Sequence, residues 1–432
     1  MISNLLDLLK NNPKLHAWNC KIVSKDSYQL FFVKQDLDMN REVYVDEYII
    51  NIFTHKMVNN KEMMGKATFS IYPTMTIEEV ENKINEQIEL CKYTLNKAYK
   101  LPKKSNIKPV YKEREFENYS LKEAAFVAAD ALFEADKFNK GYINSAEIFI
   151  NYEETRYFDS NDNVFLYTNT YGQIEFVITW TEKEEEIEIY KFIEFDTLDN
   201  KFIQNQANKA FLEAGNRIKA IKTPELSNVK LLLTGKYVQE FFNHFVERTN
   251  VDNIYNSLSD VKVGQKVDGE NGDSLTIRLE PTMKYSTKGA PFDDEGTTLK
   301  RLSLIEKGIV KNLWGSNASS RYLHVPSNGI YKNIVVSSGT LQEEDLQEEN
   351  YVEIISLSGF EIDTVTGDFG GEIRLAYLYM KNKEKQIITG GSISGNVYDS
   401  IDTTLFSNET KQINNYIGPK KVLLENVKFN KG

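Results

Sequence analysis

Between Lys236 and Arg248 the sequence reads KYVQEFFNHFVER. A glutamate followed closely by a histidine on one helix is half of a hydrolytic metal site, in which imidazoles hold the ion and the carboxylate takes a proton from its bound water. Gln239 precedes Glu240, at the place the first imidazole of a His-Glu-x-x-x-His spacing would occupy, and His244 closes the spacing. A hydrolytic zinc needs about three protein ligands and one open position, which one histidine does not supply. On a regular helix, at about 100° per residue, positions 239 and 244 also stand about 140° apart.

The same stretch carries a regular apolar stripe. Val238, Phe241, Phe242, Phe245 and Val246 fall at i, i+3, i+4, i+7 and i+8, the spacing of a helix packed on a core. Glu240, His244 and Glu247 fall at i, i+4 and i+7 on the other side, where charge-assisted pairing on a solvated face accounts for them.

Other groups offer less chemistry. Three acids precede Gly296 in PFDDEGTT without the alternation of an EF-hand loop, so the expectation is a turn with Gly296 at positive φ and the acids solvated. TGDFGG and GGSISGN match no phosphate-binding loop and read as hairpin turns. His16, His55 and His324 are isolated, and Cys20 and Cys91 read as ordinary thiols. The run TEKEEEIEIYKF, Thr181 to Phe192, reads as a solvated sheet face whose acids guard an edge strand.

The elements that must position these groups follow from pattern and composition. With 432 residues, 41% hydrophobic and 12% aromatic, the chain has enough apolar surface for two or three folded domains. The 52 basic and 63 acidic residues, net charge -11, work against a broad nucleic-acid footprint. Two cysteines make neither a disulfide framework nor a multi-cysteine cage, which points to a reducing compartment. The N-terminal MISNLLDLLKNNPKL lacks the pattern of a signal peptide, and no run of about 18 apolar residues occurs, so the expectation is a soluble cytoplasmic protein without a membrane partner.

The fold class expected is α+β: N-terminal and middle α+β units with antiparallel sheets, then a mostly antiparallel β-rich C-terminal domain with one prominent helix. Residues 1–100 form the first unit, with a long helix from about Thr76 to Tyr99 opened by a Thr76/Glu79 capping box. The charged, proline-bearing stretch 101–117 reads as a linker. Residues 118–222 read as a helix capped by Ser120 and Glu123, an antiparallel meander, and a helix from Asn200 to Ile221; residues 226–432 form the last domain.

Three stretches of that domain, taken together, resemble the TldD/PmbA (TldD/TldE) family: Gly289 to Leu313 with its D-D-E-G turn, Gly359 to Tyr379 with its T-G-D-F turn, and Gly390 to Ile401 with its S-G-N turn. TNTYG, Thr168 to Gly172, is similar to the family's Asn-Ser-x-Gly turn. The resemblance implies two kinds of subunit, one binding zinc through His-Glu-x-x-x-His and a later cysteine, the other lacking the metal and sharing a substrate cleft with it. Gln239 and the absence of any cysteine after Cys91 imply the second, TldE/PmbA-like kind, without catalytic residues or cofactor of its own and with zinc in a TldD-like partner. Gln239, Glu240, Asn243, His244 and Glu247 are then the positions facing a peptide cleft or partner. Two other readings of this helix stay open: a purely structural element, and a new metal site of Glu240, His244 and Glu247. The implied activity is help in binding extended unfolded peptides for a zinc-bearing subunit; the alternative is a self-associating, homodimeric peptide- or protein-binding protein.

Overall fold

Four long strands carry the first half of the chain: Ala17–Val33, Asp36–Val58, Gly141–Asp159 and Val164–Glu182. The computed structural model describes residues 2–108, 110, 111, 116, 118–381 and 384–432; Pro109, residues 112–115 and Glu117, all in the stretch read as a linker, lie outside the described residues. The four strands run antiparallel, in the spatial order 36–58, 17–33, 141–159, 164–182, with Lys61–Ile71 and Glu185–Phe195 added at the two sides. Residues 1–100 and 118–222 therefore share one sheet, joined where Ala17–Val33 pairs with Gly141–Asp159. The described part of the linker runs along this sheet, pairing Val110 and Tyr111 with Tyr167 and Thr168.

Alternation gives the sheet one apolar face. Helices Ile2–Lys10 and Ile77–Leu90 cover Cys20, Ile22 and Ile50, while Leu121–Phe133 and Asn200–Arg217 cover Leu30, Ile148 and Ile174. Both capping boxes form, Thr76 with Glu79 and Ser120 with Glu123. The second helix stops at Leu90 and not near Tyr99, because its end settles on Gly65, where a Cβ would lie 2.0 Å from the Cys91 carbonyl oxygen. Leu95–Lys97 then pairs with Met63–Gly65. The last of the four helices likewise stops short of Ile221, which pairs as a strand with Ile388. TNTYG lies inside strand Val164–Glu182 and makes no turn; Gly172 leaves room there for the Phe195 ring, 2.2 Å from where its Cβ would be.

From residue 230 onward two sheets enclose one helix. A nine-stranded sheet includes Lys230–Thr234, Tyr351–Ile362, Asp368–Tyr379 and Lys421–Leu424, and a six-stranded sheet includes Ile277–Glu280, Leu302–Glu306, Asn333–Val336 and Tyr416–Pro419. Helix Lys236–Arg248 shares one hydrophobic core with both. As expected, TGDFGG and GGSISGN contain turns, with Gly367 at φ 76° and Gly390 and Gly391 at 78° and 72°. The thirteen-residue helix is the prominent one of this domain, and the architecture is α+β with antiparallel sheets.

The mixed face of the first sheet receives the second half of the chain through the D-D-E-G turn. Phe292 packs on Phe165 and Tyr157, the Tyr157 hydroxyl donates to the Glu295 carbonyl at 2.9 Å, and Lys21 pairs with Asp294 at 2.7 Å. Gly296 takes φ 84°, as expected of the turn, but Asp293 is buried rather than solvated. Its carboxylate accepts N–H groups of Glu295, Thr297 and Ile330, and these donors replace the water it loses. A Cβ on Gly296 would stand 2.3 Å from the Tyr157 hydroxyl as well as straining φ. Gly296→Ala is expected to lower unfolding stability by about 2 kcal/mol or more, read from urea denaturation, with Gly264→Ala, a positive-φ glycine facing open space, losing less.

Candidate functional site

Strand Lys230–Thr234 leads into the enclosed helix through Gly235, whose φ of 59° turns the chain without a side-chain cap. Two hydroxyls fix this end to strand 351–362. The Thr234 hydroxyl donates to the Ile354 carbonyl at 2.5 Å, and Tyr237 donates to the Leu357 carbonyl at 3.2 Å while accepting the Leu357 N–H at 2.6 Å. At the other end the last carbonyls, which have no partner within a helix, receive side chains. The Trp314 indole N–H donates to Val246 at 2.9 Å, Asn253 to Glu247 at 2.9 Å and Ser259 to Arg248 at 2.6 Å.

With Tyr237, Val238, Phe241, Phe242, His244, Phe245 and Val246 buried, a single polar strip is left. Gln239, Glu240, Asn243 and Glu247 line a cleft of about 200 Å³ whose opposite wall is Leu279, Trp314, Tyr331, Lys332, Ile334 and Asn415. The Gln239 amide donates to Asn415 Oδ1 at 3.4 Å, and Asn415 donates to the Lys332 carbonyl at 2.6 Å, tying helix to wall. Glu247 accepts from Asn250 and Asn253 at 3.4 and 3.2 Å. The Glu240 carboxyl is held above its usual range by desolvation beside the cleft, which outweighs Lys236 one turn earlier. Amides, a carboxyl and an apolar wall in a space this size can pair with the donors and acceptors of a peptide backbone and take one side chain.

Four of the five expected positions thus meet in the cleft. His244 does not: it is 3% exposed, set edge-on to Phe245 and Tyr398, and neither ring nitrogen has a hydrogen-bond partner among the described residues. The solvated face read for it is closed here, with the imidazole between Phe245 and the partly exposed Tyr398 and with Arg248 and Asp363 near enough to act on its charge. Burial lowers its pKa to about 4, helped by Arg248 and opposed by Asp363. These residues do not fit a zinc ion, since Gln239 brings an amide, Glu240 and Glu247 reach the cleft without an imidazole, and His244 is buried away from them. Among the described residues no three His, Cys, Asp or Glu side chains are gathered to hold a metal. The wall residues Trp314, Tyr331, Lys332 and Asn415 come from loops distant in sequence and carried no local signal.

An α+β chain with a helix-floored cleft in its C-terminal half belongs to a known class. Residues 227–431 match the PmbA/TldA metallopeptidase C-terminal domain, so this part of the chain is a domain of the TldD/PmbA family. TldE from Thermococcus kodakarensis superposes with a TM-score of 0.78 at 17% identity, over 99% of this chain and 100% of that one. A Thermotoga maritima protein provisionally described as a modulator of a DNA gyrase gives 0.78 at 18% identity, over 100% and 99%. In sequence, an uncharacterised protein of Methanocaldococcus jannaschii is 26% identical over 174 residues, 37% of this chain and 40% of that one. A protein of Archaeoglobus fulgidus named metalloprotease is 28% identical over 182 residues, 39% and 41%. The match to each of these two spans about two fifths of the relative's length. Among the described residues no helix is long and apolar enough to cross a membrane.

Two outcomes follow from the geometry. The unfolded chain protonates His244 near pH 6.5 and the folded chain near 4, so the unfolded state binds more protons between these values. Its contribution to stability is therefore complete above pH 6.5 and is lost as pH falls toward 4, by up to about 3 kcal/mol. His244→Phe is expected to flatten that slope in urea unfolding between pH 7 and pH 4.5. Gln239→His places one imidazole on a cleft that has no second, and chelator-sensitive peptide hydrolysis by the purified variant alone is expected to stay at background.

Proposed function

We propose that this chain is a non-catalytic, TldE/PmbA-like subunit that holds an extended unfolded peptide beside helix Lys236–Arg248 while a zinc-bearing, TldD-like partner cleaves it. The observation that carries the reading is the separation of His244 from the cleft that collects Gln239, Glu240, Asn243 and Glu247. The cleft keeps groups suited to binding, and the site of bond cleavage is assigned to another subunit. The fold it shares with TldE over nearly all of both chains supports the same assignment.

A peptide backbone presents alternating N–H and C=O groups. Gln239 and Asn243 lie one turn apart and offer a donor and an acceptor each, and Glu240 accepts from N–H or binds a cationic end. Leu279, Trp314 and Ile334 give affinity to an apolar side chain without selecting its shape. The subunit supplies walls and affinity; the partner supplies metal and water.

Mixing the purified chain with a family member that has an intact His-Glu-x-x-x-His helix tests this. A mixed complex by light scattering and faster cleavage of an unfolded peptide are expected. Asn243→Ala in that complex is expected to raise KM about threefold to tenfold with little change in kcat, as loss of a hydrogen bond used equally in binding and reaction would. Absence of a complex together with unchanged cleavage sinks the reading, and a stable homodimer indifferent to the partner favours self-association instead.

A further inference from the structure

Strand Asp36–Val58 is 23 residues long, and its two neighbours do not cover it equally. Ala17–Val33 pairs along residues 36–53, whereas Lys61–Ile71 pairs only with Tyr48–Val58. Residues 36–47 therefore present a free edge, and among the described residues no backbone hydrogen bond from them reaches anything beyond Ala17–Val33. An open edge offers a row of unpaired N–H and C=O groups, which natural proteins usually blunt with lysine, proline, bulges or a cover.

This edge is blunted only at its tip. A register shift opposite Phe31 and Phe32 leaves Asp38 as an extra residue, so the ladder from Met39 to Glu47 is regular. That stretch has neither lysine nor proline, and Met39, Tyr44 and Val45 are 44, 65 and 48% exposed. Its charge is one-sided. Asp36, Asp38, Glu42, Asp46 and Glu47 oppose Arg41 alone, and Arg41, though exposed, reaches back over the neighbouring strand, with Nε donating to Gln29 at 2.6 Å and its guanidinium 5.2 Å from the Phe31 ring.

We infer that Met39–Glu47 is a strand-addition surface for an extended, basic segment of a different polypeptide. The backbone groups supply the ladder, Met39, Tyr44 and Val45 supply apolar contact, and the acids select lysine or arginine at the exposed positions of the incoming strand. A second copy of this chain is disfavoured as occupant. Antiparallel pairing about a two-fold axis puts each residue opposite one on the same face, so centring on Arg41 or Glu42 opposes like charges directly, and any register brings two acidic strands together. This surface is separate from the cleft at Gln239 and Asn243 and does not depend on it.

An eleven-residue peptide of alternating lysine and valine, with the glutamate–valine peptide as control, provides the probe. Hydrogen exchange on the full chain is expected to slow about tenfold or more at Met39–Glu47 with the lysine peptide alone, and fluorescence anisotropy is expected to show weaker binding as salt rises. The exposed acids Asp38 and Glu42 allow a D38K/E42K variant, expected to weaken binding about tenfold, while Asn243→Ala leaves it unchanged. Protection confined to the cleft, equal binding of the glutamate peptide, full binding by the double variant, or a homodimer that itself protects 39–47 would each overturn the inference. The first of these outcomes would leave the cleft reading standing.

Discussion

Helix Lys236–Arg248 must bury apolar side chains against two sheets at once, and that constraint decides everything around it. A surface helix hides one stripe and keeps a broad polar face; this one is covered nearly all round, so its polar residues are confined to a strip at 239, 240, 243 and 247. The strip becomes a cleft because the six-stranded sheet and the Trp314 loop come within reach of it. The packing that narrows the strip also takes His244 out of play, leaving an imidazole beside two rings with no partner for either nitrogen among the described residues. A buried polar group without a partner is costly, so this side chain lowers stability where phenylalanine would not.

The second half of the chain meets the first sheet in part through the turn before Gly296, whose Phe292 joins the buried cluster of Tyr157, Phe165 and Tyr167. Phe292, Asp293 and Gly296 form a turn whose backbone receives the Tyr157 hydroxyl, while Lys21 and Lys288 reach Asp294 and Glu194. The acids that could have suggested a cation site are the joint between the two halves. Asp293 is fixed by three backbone donors, and burial lifts its carboxyl to about 6 in spite of them. The cleft and the open strand edge thus stand on one framework, and this turn is one of several joints between its halves, beside the pairing of Ile221 with Ile388 and the hydrogen bond from Asn414 to Glu194.

Much of this was legible in the sequence because it is local. Capping boxes at Thr76 and Ser120, glycine turns at Gly296, Gly367 and Gly391, the alternating meander, and the apolar stripe of Val238, Phe241, Phe242, Phe245 and Val246 all depend on neighbours a few residues away. What failed depends on distant chain. TNTYG has turn-forming residues yet extends, because strands on either side supply a ladder and the Phe195 ring fills the space over Gly172. Helix Ile77–Leu90 ends early because it meets Gly65. His244 sits at a helical spacing that reads as solvated, and it is buried against Tyr398, which lies far along the chain. Trp314 and Asn415 enter the site through loops whose composition marks nothing.

The long central strands have a consequence for how the molecule is made. Cys20 pairs with Phe158 and Val33 with Ser145, so the hairpin of residues 17–58 waits, during synthesis, for the whole of residues 59–140 before its inner edge finds a neighbour. Closing such a loop costs entropy before any ladder rewards it, and non-local sheets form slowly for that reason. For that interval the nascent chain has two open edges instead of one, exposed to any strand nearby. The inner edge is eventually sealed by Gly141–Asp159, whereas the outer edge from Asp36 to Glu47 keeps in the finished protein the open condition that the inner edge passes through only while folding.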